Sequence, residues 1–438
     1  MAGIEQLYQG KKVAVVGYGV EGRSAYTYYT KHGADVTIID EATELDDVPE
    51  EARTILGGQA LDHLQGFDIV SRTPPLRPER IHTDGVVSSV TVEFFERCPA
   101  PIIGVTGTKG KGTTATLCAR ILEESGKKVH LVGNIGLPGL DVVDEIEADD
   151  IVCFELSSFQ LWDLKKSPHV AVVLMIDEDH QDIHSSMDEY IKAKANIARF
   201  QGPDDVIVVH PDNQLSQSIA VYSSAKKVEY MSETGAFIRG EDIIIDEHKI
   251  CTRSDVGLLG AHNLENVTAA ISAAWVFTQN VDAIAKSVKE FKGLPHHLEL
   301  AGESNGVRYY DDSFSTQPAA AIAAILTFEE PKVIILGGSE KSANFSHVAE
   351  AVADNNVKGV VLIGDTAQRI QEELVTAGFT GKVATGATKM PEIVNQAREM
   401  TEAGDVVILS PACASFGLFD NYKQRGDLFK QAVSAFGD

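Results

Sequence analysis

Val105-Thr106-Gly107-Thr108-Lys109-Gly110-Lys111-Gly112-Thr113-Thr114 is the stretch that decides the fold. An apolar run, Pro101-Ile102-Ile103-Gly104-Val105, leads into it, and a segment of helical character, Ala115 to Glu124, follows. Strand, glycine turn, lysine, hydroxyls and helix form the arrangement that cradles nucleotide phosphates. Backbone N–H groups of the turn and the helix N-terminus face the anion, and the lysine adds a point charge. Val105 stands where the first glycine of a full Walker A pattern belongs, so this is the shorter T-G-T-x-G-K form. It favours an ATP-binding enzyme built on a strand–loop–helix unit.

Upstream, Lys11 to Val16 is a short run capped by Gly17-Tyr18-Gly19-Val20-Glu21-Gly22. A helical stretch follows (Ser24 to His32), then Asp35-Val36-Thr37-Ile38-Ile39-Asp40. Strand, G-x-G-x-x-G, helix and a strand ending in an acid is the dinucleotide-binding fingerprint. Two readings stay open at this point. Tight glycine turns also serve plain strand–helix packing, whereas Asp40 suits a ribose or a base edge.

Downstream, buried-strand patterns occur at 151–154, 170–174 and 206–209, and alternating residues between Glu229 and Arg253 predict a small antiparallel sheet. A helical region covers Leu264 to Phe277. Further runs at Lys332–Gly338, Val360–Gly364 and Val406–Ser410 each end in Gly or Ser, as strands do when their carboxyl ends line a crevice. Strands alternating with helix-length segments predict parallel sheets. The expected fold is α/β with three domains. These are a Rossmann-like N-terminal domain (1–97), a central P-loop ATPase domain with a mostly parallel sheet (98–298) and a Rossmann-like C-terminal domain (299–438).

Of the 438 residues, 44% are apolar, which is ample for packed cores. A formal net charge of −26 argues against nucleic acid or an anionic membrane as partner, since both select basic surfaces. Anionic substrates remain compatible, because they need only local positive charge. No apolar run approaches the roughly 18 residues of a membrane span, and Met1 to Gly10 lacks a signal-peptide pattern. Five cysteines, at 98, 118, 153, 251 and 413, have no metal or disulfide spacing. The chain reads as reduced and cytoplasmic.

Three stretches carry candidate chemistry. Glu155 ends the apolar run 151–154, a place that suits either a Mg²⁺ ligand in a P-loop enzyme or a solvated acid. Asp177-Glu178-Asp179-His180-Gln181-Asp182-Ile183-His184 reads as a metal cluster or a solvated loop. Leu409 to Phe416 makes a plausible crevice floor, in which Cys413 lacks a nearby His that would make it a nucleophile. Lys194, on a predicted helix, would be assigned to the surface by composition alone.

With these motifs the chain resembles the Mur ligases of peptidoglycan synthesis, most closely their D-glutamate-adding branch, over essentially its whole length. The resemblance rests on the loop 106–114, Gly133-Asn134-Ile135-Gly136, Glu155-Leu156-Ser157-Ser158-Phe159-Gln160-Leu161, Asp179-His180-Gln181-Asp182 and Tyr190 to Lys194. It continues through His262 to Asn266, Gly293-Leu294-Pro295-His296, Asp312-Ser313, Gly337-Gly338, Lys341-Ser342 and Leu409 to Phe416. It implies an ATP-dependent ligase that joins D-glutamate to UDP-N-acetylmuramoyl-L-alanine through an acyl phosphate, as a cytoplasmic monomer. A related ligase of the Mur or folylpolyglutamate type that adds another amino acid is the alternative. A nicotinamide- or flavin-dependent oxidoreductase would leave the P-loop unexplained.

The resemblance also implies roles. Gly19, Val20, Glu21, Asp40, Asn134 and Ser157 would bind the UDP-substrate. Gly107 to Thr113, with Asn266 and Asp312, would bind ATP, Lys111 being the phosphate contact. Two Mg²⁺ would be held by Thr113, Glu155, His180 and Lys194, the last as a CO₂-derived carbamate, which turns a cation into an oxygen donor. Thr316, Lys341, Ser415, Phe416 and Tyr422 would form the D-glutamate pocket. Closure of the third domain over the central one would exclude water. The chain departs from the usual pattern at Gly112 (Ser or Thr), His297 (Arg), Phe314 (Lys), Met175 (Asn) and Pro75 (Gly).

Overall fold

The computed structural model describes residues 7–177, 184–260, 262–339 and 343–436. The chain packs into two compact units, Met1–Val256 with His262–Glu290, and Gly257–Ala261 with Phe291–Asp438.

In the first unit, β1 (Lys12–Val16), β2 (Asp35–Asp40), β3 (Arg53–Leu56), β4 (Ile69–Arg72) and β5 (Val86–Ser89) form one sheet. All pairings are parallel and the order is β3-β2-β1-β4-β5. Helices α1 (Val20–Lys31) and α2 (Val90–Arg97) belong to it. β1 and β2 are almost continuous Val, Ile and Ala because a parallel sheet is covered on both faces. The order reverses beside β1, so a crevice opens at the carboxyl ends of β1 and β4. Gly17 turns the chain there at φ +91°, and a Cβ on it would lie 2.1 Å from Thr73 Oγ1. A Cβ on Gly22 would lie 2.0 Å from the Gly17 carbonyl oxygen, so the third glycine of the fingerprint is a packing requirement.

The second sheet is also parallel throughout. It contains β6 (Ile102–Thr106), β7 (Val129–Gly133), β8 (Ile151–Glu155), β9 (Val170–Val173), β10 (Val206–Val209) and β11 (Lys226–Glu229). Their order is β11-β10-β9-β6-β8-β7. Its helices are α3 (Lys111–Glu124), α4 (Gly139–Val142), α5 (Ser158–Leu161), α6 (Met187–Arg199), α7 (Gln214–Ala220), α8 (His262–Ala274) and α9 (Val281–Glu290). The expected small sheet is the antiparallel β12 (Phe237–Arg239), β13 (Asp242–Ile245) and β14 (His248–Thr252).

The first two sheets share one continuous core. Phe94 of α2 meets Phe154 of β8 edge-on, with ring centroids 5.2 Å apart. Arg72, fully buried at the end of β4, ties the two sheets together. Its Nε and Nη2 grip both carboxylate oxygens of Asp163 at 2.8 and 2.7 Å, and Nη2 also donates to the Phe159 carbonyl. Nη1 donates to the carbonyls of Thr73, Pro74 and Leu76. Removing one partner of a buried pair strands the other, at a cost of about 3–5 kcal/mol. Arg72→Ala is therefore expected to lower the unfolding free energy of the first unit, read from a urea titration, by that amount. A midpoint within error of the parent would mean that the cluster is solvated in solution.

The second unit has β15 (Glu299–Ser304), β16 (Val307–Asp311), β17 (Lys332–Gly337), β18 (Val357–Ile363), β19 (Lys382–Ala384) and β20 (Val406–Leu409). The order is β15-β16-β20-β17-β18-β19, with a hydrophobic cluster on each face. Its helices are α10 (Pro318–Thr327), α11 (Ser346–Asp354), α12 (Ala367–Thr376), α13 (Met390–Arg398) and α14 (Tyr422–Ser434). Alternating strands and helices predict parallel pairing, and β15 is the exception, running antiparallel to β16. The cause is local. Asn305 and Gly306 both have positive φ (51° and 74°), the geometry of a two-residue hairpin turn. Among the described residues, no helix is long and apolar enough to cross a membrane.

Candidate active site

The carboxyl ends of β6, β8 and β9 converge because the strand order reverses around β6. Gly107 (φ +157°) sits where a Cβ would press on Leu174 at 2.7 Å, and Gly110 (φ +80°) where one would meet Asn266 Oδ1 at 2.1 Å. Both glycines of the loop are therefore sterically required. Thr108 fastens the loop to the end of β9. Its N–H donates to Met175 O (3.0 Å), and its hydroxyl donates to Asp177 O (3.1 Å) while accepting from Asp177 N (2.9 Å). The Lys111 ammonium donates to Thr108 O at 2.9 Å. Thr113 lies half-buried in the first turn of α3, and Lys109 is exposed.

Lys194 points inward from α6 and is 1% exposed. Its Nζ donates to Gly107 O (3.0 Å) and Thr106 Oγ1 (3.3 Å) and lies 4.5 Å from the Tyr190 ring centroid. The Tyr190 hydroxyl in turn meets Thr108 Oγ1 at 3.2 Å. A buried ammonium is costly unless it is held in this way. The lysine that composition would assign to solvent thus lies under the phosphate loop.

Glu155 ends β8, also buried. A Cβ on Gly133 (φ +115°) would lie 2.3 Å from Glu155 O, so this glycine lets the β7 end approach closely. Asn134 follows this glycine, on the side of the Glu155 carboxylate. Burial raises the Glu155 acid above its ordinary range, while Lys111, the Asn134 hydrogen bond and Lys194 pull it down. Lys111, Asn134, Glu155 and Lys194 therefore form one electrostatic group at the loop. Residues 178–183, with Glu178, Asp179, His180 and Asp182, lie outside the described residues. His184, just beyond them, is buried against Phe159, Trp162 and Tyr190, with Nε2 2.9 Å from Ser158 Oγ.

At the first-sheet crevice, Gly19 and Val20 are exposed at the head of α1. Asp40 is engaged in shaping the turn, its two oxygens accepting from Tyr18 N (2.8 Å) and Ala42 N (2.9 Å). Ser157 caps α5, and Gln160 closes the capping box: its Oε1 accepts from Ser157 N and Oγ. Gln160 Nε2 donates to Glu21 Oε1 at 2.8 Å, linking the two sheets. Burial pushes the Glu21 acid up to about 7. That rise from 4.5 is worth about 3 kcal/mol, more than the 0.3–1 kcal/mol by which a helix N-terminus favours an anion.

In the second unit, Asp312–Thr316, Ser410–Phe416 and Tyr422 gather at the carboxyl end of the sheet. Asp312 is buried, accepting from Ser410 Oγ (2.6 Å) and Leu298 N (3.2 Å), and burial pushes its acid up to about 7. Buried Arg425 stitches the loops together through Ser313 Oγ, Ser313 O and Cys413 O. Thr316 is half-buried, Ser415 is buried and Phe416 is exposed. Lys341 lies outside the described residues. Cys413 is buried against Thr366 Oγ1 at 3.4 Å.

Residues 105–274 match the Mur ligase middle domain, and residues 296–413 match the Mur ligase, glutamate ligase domain. A UDP-N-acetylmuramoylalanine--D-glutamate ligase from Acetivibrio thermocellus is 39% identical, covering 98% of this chain and 97% of its own. The chain belongs to the Mur ligase family. A ligase of the same name from Clostridium kluyveri is 36% identical, with 98% of each chain covered. Among solved Mur ligases, the UDP-N-acetylmuramate-alanine ligase MurC of Thermotoga maritima superposes with a TM-score of 0.62 at 16% identity, covering 98% of this chain and all of that one. The MurF ligase of the same organism, solved with ADP, gives 0.60 at 16% identity, covering 100% and 98%.

Two departures of this Mur ligase prove to be one feature. His297 stacks on Phe314 with ring centroids 4.0 Å apart, and Phe314 meets Tyr422 edge-on at 5.1 Å. Burial, together with His296, lowers the His297 pKa to about 4, so the imidazole is neutral at pH 7. An aromatic stack thus stands where two cations are usual in the family. The unfolded chain takes up the His297 proton near pH 6.5 and the folded one only near 4, so stability is full above 6.5 and falls as the pH drops between those values. The unfolding free energy of the second unit, read from urea titrations, is expected to fall over that window by up to roughly 3 kcal/mol, and by less in His297→Phe. An equal acid loss in both proteins would assign it elsewhere.

Tyr190, Arg72, Gln160 and Arg425 organise these sites without a role expected from the sequence. Tyr190 lay inside a quoted motif without a role. Arg72 and Arg425 gave no signal, since their partners are remote in sequence.

Proposed function

We propose that this Mur ligase joins D-glutamate to UDP-N-acetylmuramoyl-L-alanine with cleavage of ATP, as a cytoplasmic step of peptidoglycan precursor synthesis and as a monomer. The observation that carries the reading is the convergence of Lys111, Asn134, Glu155 and buried Lys194 at one phosphate-binding loop. The activity borne by the relatives at 36–39% identity supports the choice of amino acid.

On this reading the L-alanine carboxylate oxygen attacks the γ-phosphorus of ATP and ADP leaves. The amine of D-glutamate attacks the resulting acyl phosphate, and phosphate departs with the bridging oxygen. A proton from the amine goes to solvent. Lys111 and the loop N–H groups offset repulsion between the reacting anions. Gly107 to Thr113 hold the ATP phosphates, with Asn266 supporting Gly110 from α8, and Asp312 is assigned to the nucleotide by the resemblance. Gly19, Val20, Glu21 and Asp40 take the uridine diphosphate end, with Asn134 and Ser157 nearer the muramoyl-alanine end. Thr316, Lys341, Ser415, Phe416 and Tyr422 take D-glutamate.

The residues fit Mg²⁺. A buried carboxylate whose acid is pushed up by burial gains from a hard cation beside it, and Thr113 offers a hydroxyl in the first turn of α3. Glu155, Thr113, His180 and Lys194 would hold two such ions, Lys194 after conversion to its carbamate. Bound there, Mg²⁺ neutralises charge on the phosphates. Glu155→Gln is expected to raise the Mg²⁺ concentration for half-maximal rate by on the order of 10–100-fold. An unchanged requirement removes Glu155 from the metal set.

The decisive assay is phosphate release from ATP with UDP-N-acetylmuramoyl-L-alanine, comparing D-glutamate, L-glutamate and no amino acid. Release that depends on both acceptor and D-glutamate is expected. Release with a different amino acid alone would favour the related-ligase reading, which the loss of two cations at His297 and Phe314 motivates.

A further inference from the structure

We infer that the acceptor's diphosphate binds the crevice at the head of α1 only when Glu21 there carries a proton, so binding draws in a proton from alkaline solution. The inference rests on the reading that the crevice takes the uridine diphosphate end.

Glu21 is the second residue of α1. The first intrahelical bond there is Arg23 N to Gly19 O, so the N–H groups of Val20, Glu21 and Gly22 precede the ladder, and Gly19 offers no side-chain cap. Such an end attracts an anion. A carboxylate in the same turn would repel a diphosphate, unless it carried a proton.

The surroundings of Glu21 favour that proton. Oε1 accepts one hydrogen bond from Gln160 Nε2, and Oε2 is buried with no partner. Gln160 cannot turn its oxygen toward Glu21, because Ser157 N and Ser157 Oγ already occupy that oxygen. The charged groups around it are otherwise engaged. Arg72, at the end of β4, spends Nε, Nη1 and Nη2 on Asp163 and four carbonyls. Arg23, on α1 itself, pairs with Asp47 through Nη1 and donates to Asp46 O through Nη2, while its Nε is buried without a partner and makes no bond to Glu21. Asp40, at the end of β2, accepts from Tyr18 N, and Asp144 at the far end of α1 pairs with Lys31 and His32. No ion pair to Glu21 exists among the described residues. Burial of a carboxyl with one donor and no ion pair outweighs the pull of the Gln160 hydrogen bond and the Arg72 charge, and pushes its acid up to about 7.

The test is calorimetric titration of UDP-N-acetylmuramoyl-L-alanine into the full chain without ATP, at pH 6 and 8, in buffers of different protonation enthalpy. The diphosphate is a diester and does not itself titrate in this range. At pH 8 the parent protein is expected to take up about 0.9 proton on binding, and Glu21→Gln none. Glu21→Gln should bind about tenfold more tightly than the parent at pH 8 and equally at pH 6. Its melting temperature at pH 6 controls for folding. Equal proton uptake in both proteins, or a parent affinity that is flat from pH 6 to 8, overturns the inference while leaving the acceptor assignment intact. Failure of the folded parent to bind the acceptor at either pH overturns both.

Discussion

Lys111→Ala is expected to lower kcat by at least about 10³-fold, with the thermal melt unchanged. The side chain is half-buried at the start of α3, and its ammonium reaches Thr108 O at 2.9 Å. The backbone path of the loop is set elsewhere, by Gly107 against Leu174 and Gly110 against Asn266. Alanine therefore removes charge at the γ-phosphate without removing the cradle. Lys111→Arg should also fail, because a planar fork does not replace a compact ammonium inside a tight loop. Turnover of Lys111→Ala within tenfold of the parent would place phosphoryl transfer elsewhere in the molecule.

Lys194→Ala is expected to cause a loss of similar size, for a different reason. The residue is 1% exposed and held by Gly107 O, Thr106 Oγ1 and the Tyr190 ring. As an ammonium it cannot ligate a metal, whereas as a carbamate it presents anionic oxygens to one. A truncated side chain leaves a cavity at about 2–5 kcal/mol, and that cavity lies where a small carboxylate would supply the missing oxygens. Partial recovery of Lys194→Ala by formate or acetate, together with loss of parent activity in CO₂-stripped buffer, is the expected pair of results. Full activity of Lys194→Ala without any additive would contradict the assignment.

The α/β class and the phosphate loop were legible because they are local. A run of Val and Ile followed by glycines states both the strand and the turn that ends it. The hairpin at Asn305-Gly306 was equally local, yet the alternation of strands and helices around it masked its signal. Contacts between remote segments were not legible. Gln160 reaches Glu21 across 139 positions, and Arg72 reaches Asp163 across 91. No pattern in either segment names its partner. Composition alone would leave Lys194 in solvent, whereas its helix turns it toward the loop, where it is buried. Asp40, Ser157 and Asp312 show the opposite case: each lies beside its crevice, and each already spends side-chain oxygen on the protein's own turns and caps. His297 and Phe314 look like separate departures in the sequence, and only their stacking reveals a joint substitution.

The central claim is transfer of the acceptor carboxylate through an acyl phosphate. The most direct measurement uses UDP-N-acetylmuramoyl-L-alanine labelled with ¹⁸O in the alanine carboxylate, with ATP and D-glutamate, followed by mass analysis of the released phosphate. Activation by phosphoryl transfer predicts one labelled oxygen in each phosphate formed. Phosphate without label, produced while the amide accumulates, would contradict the account.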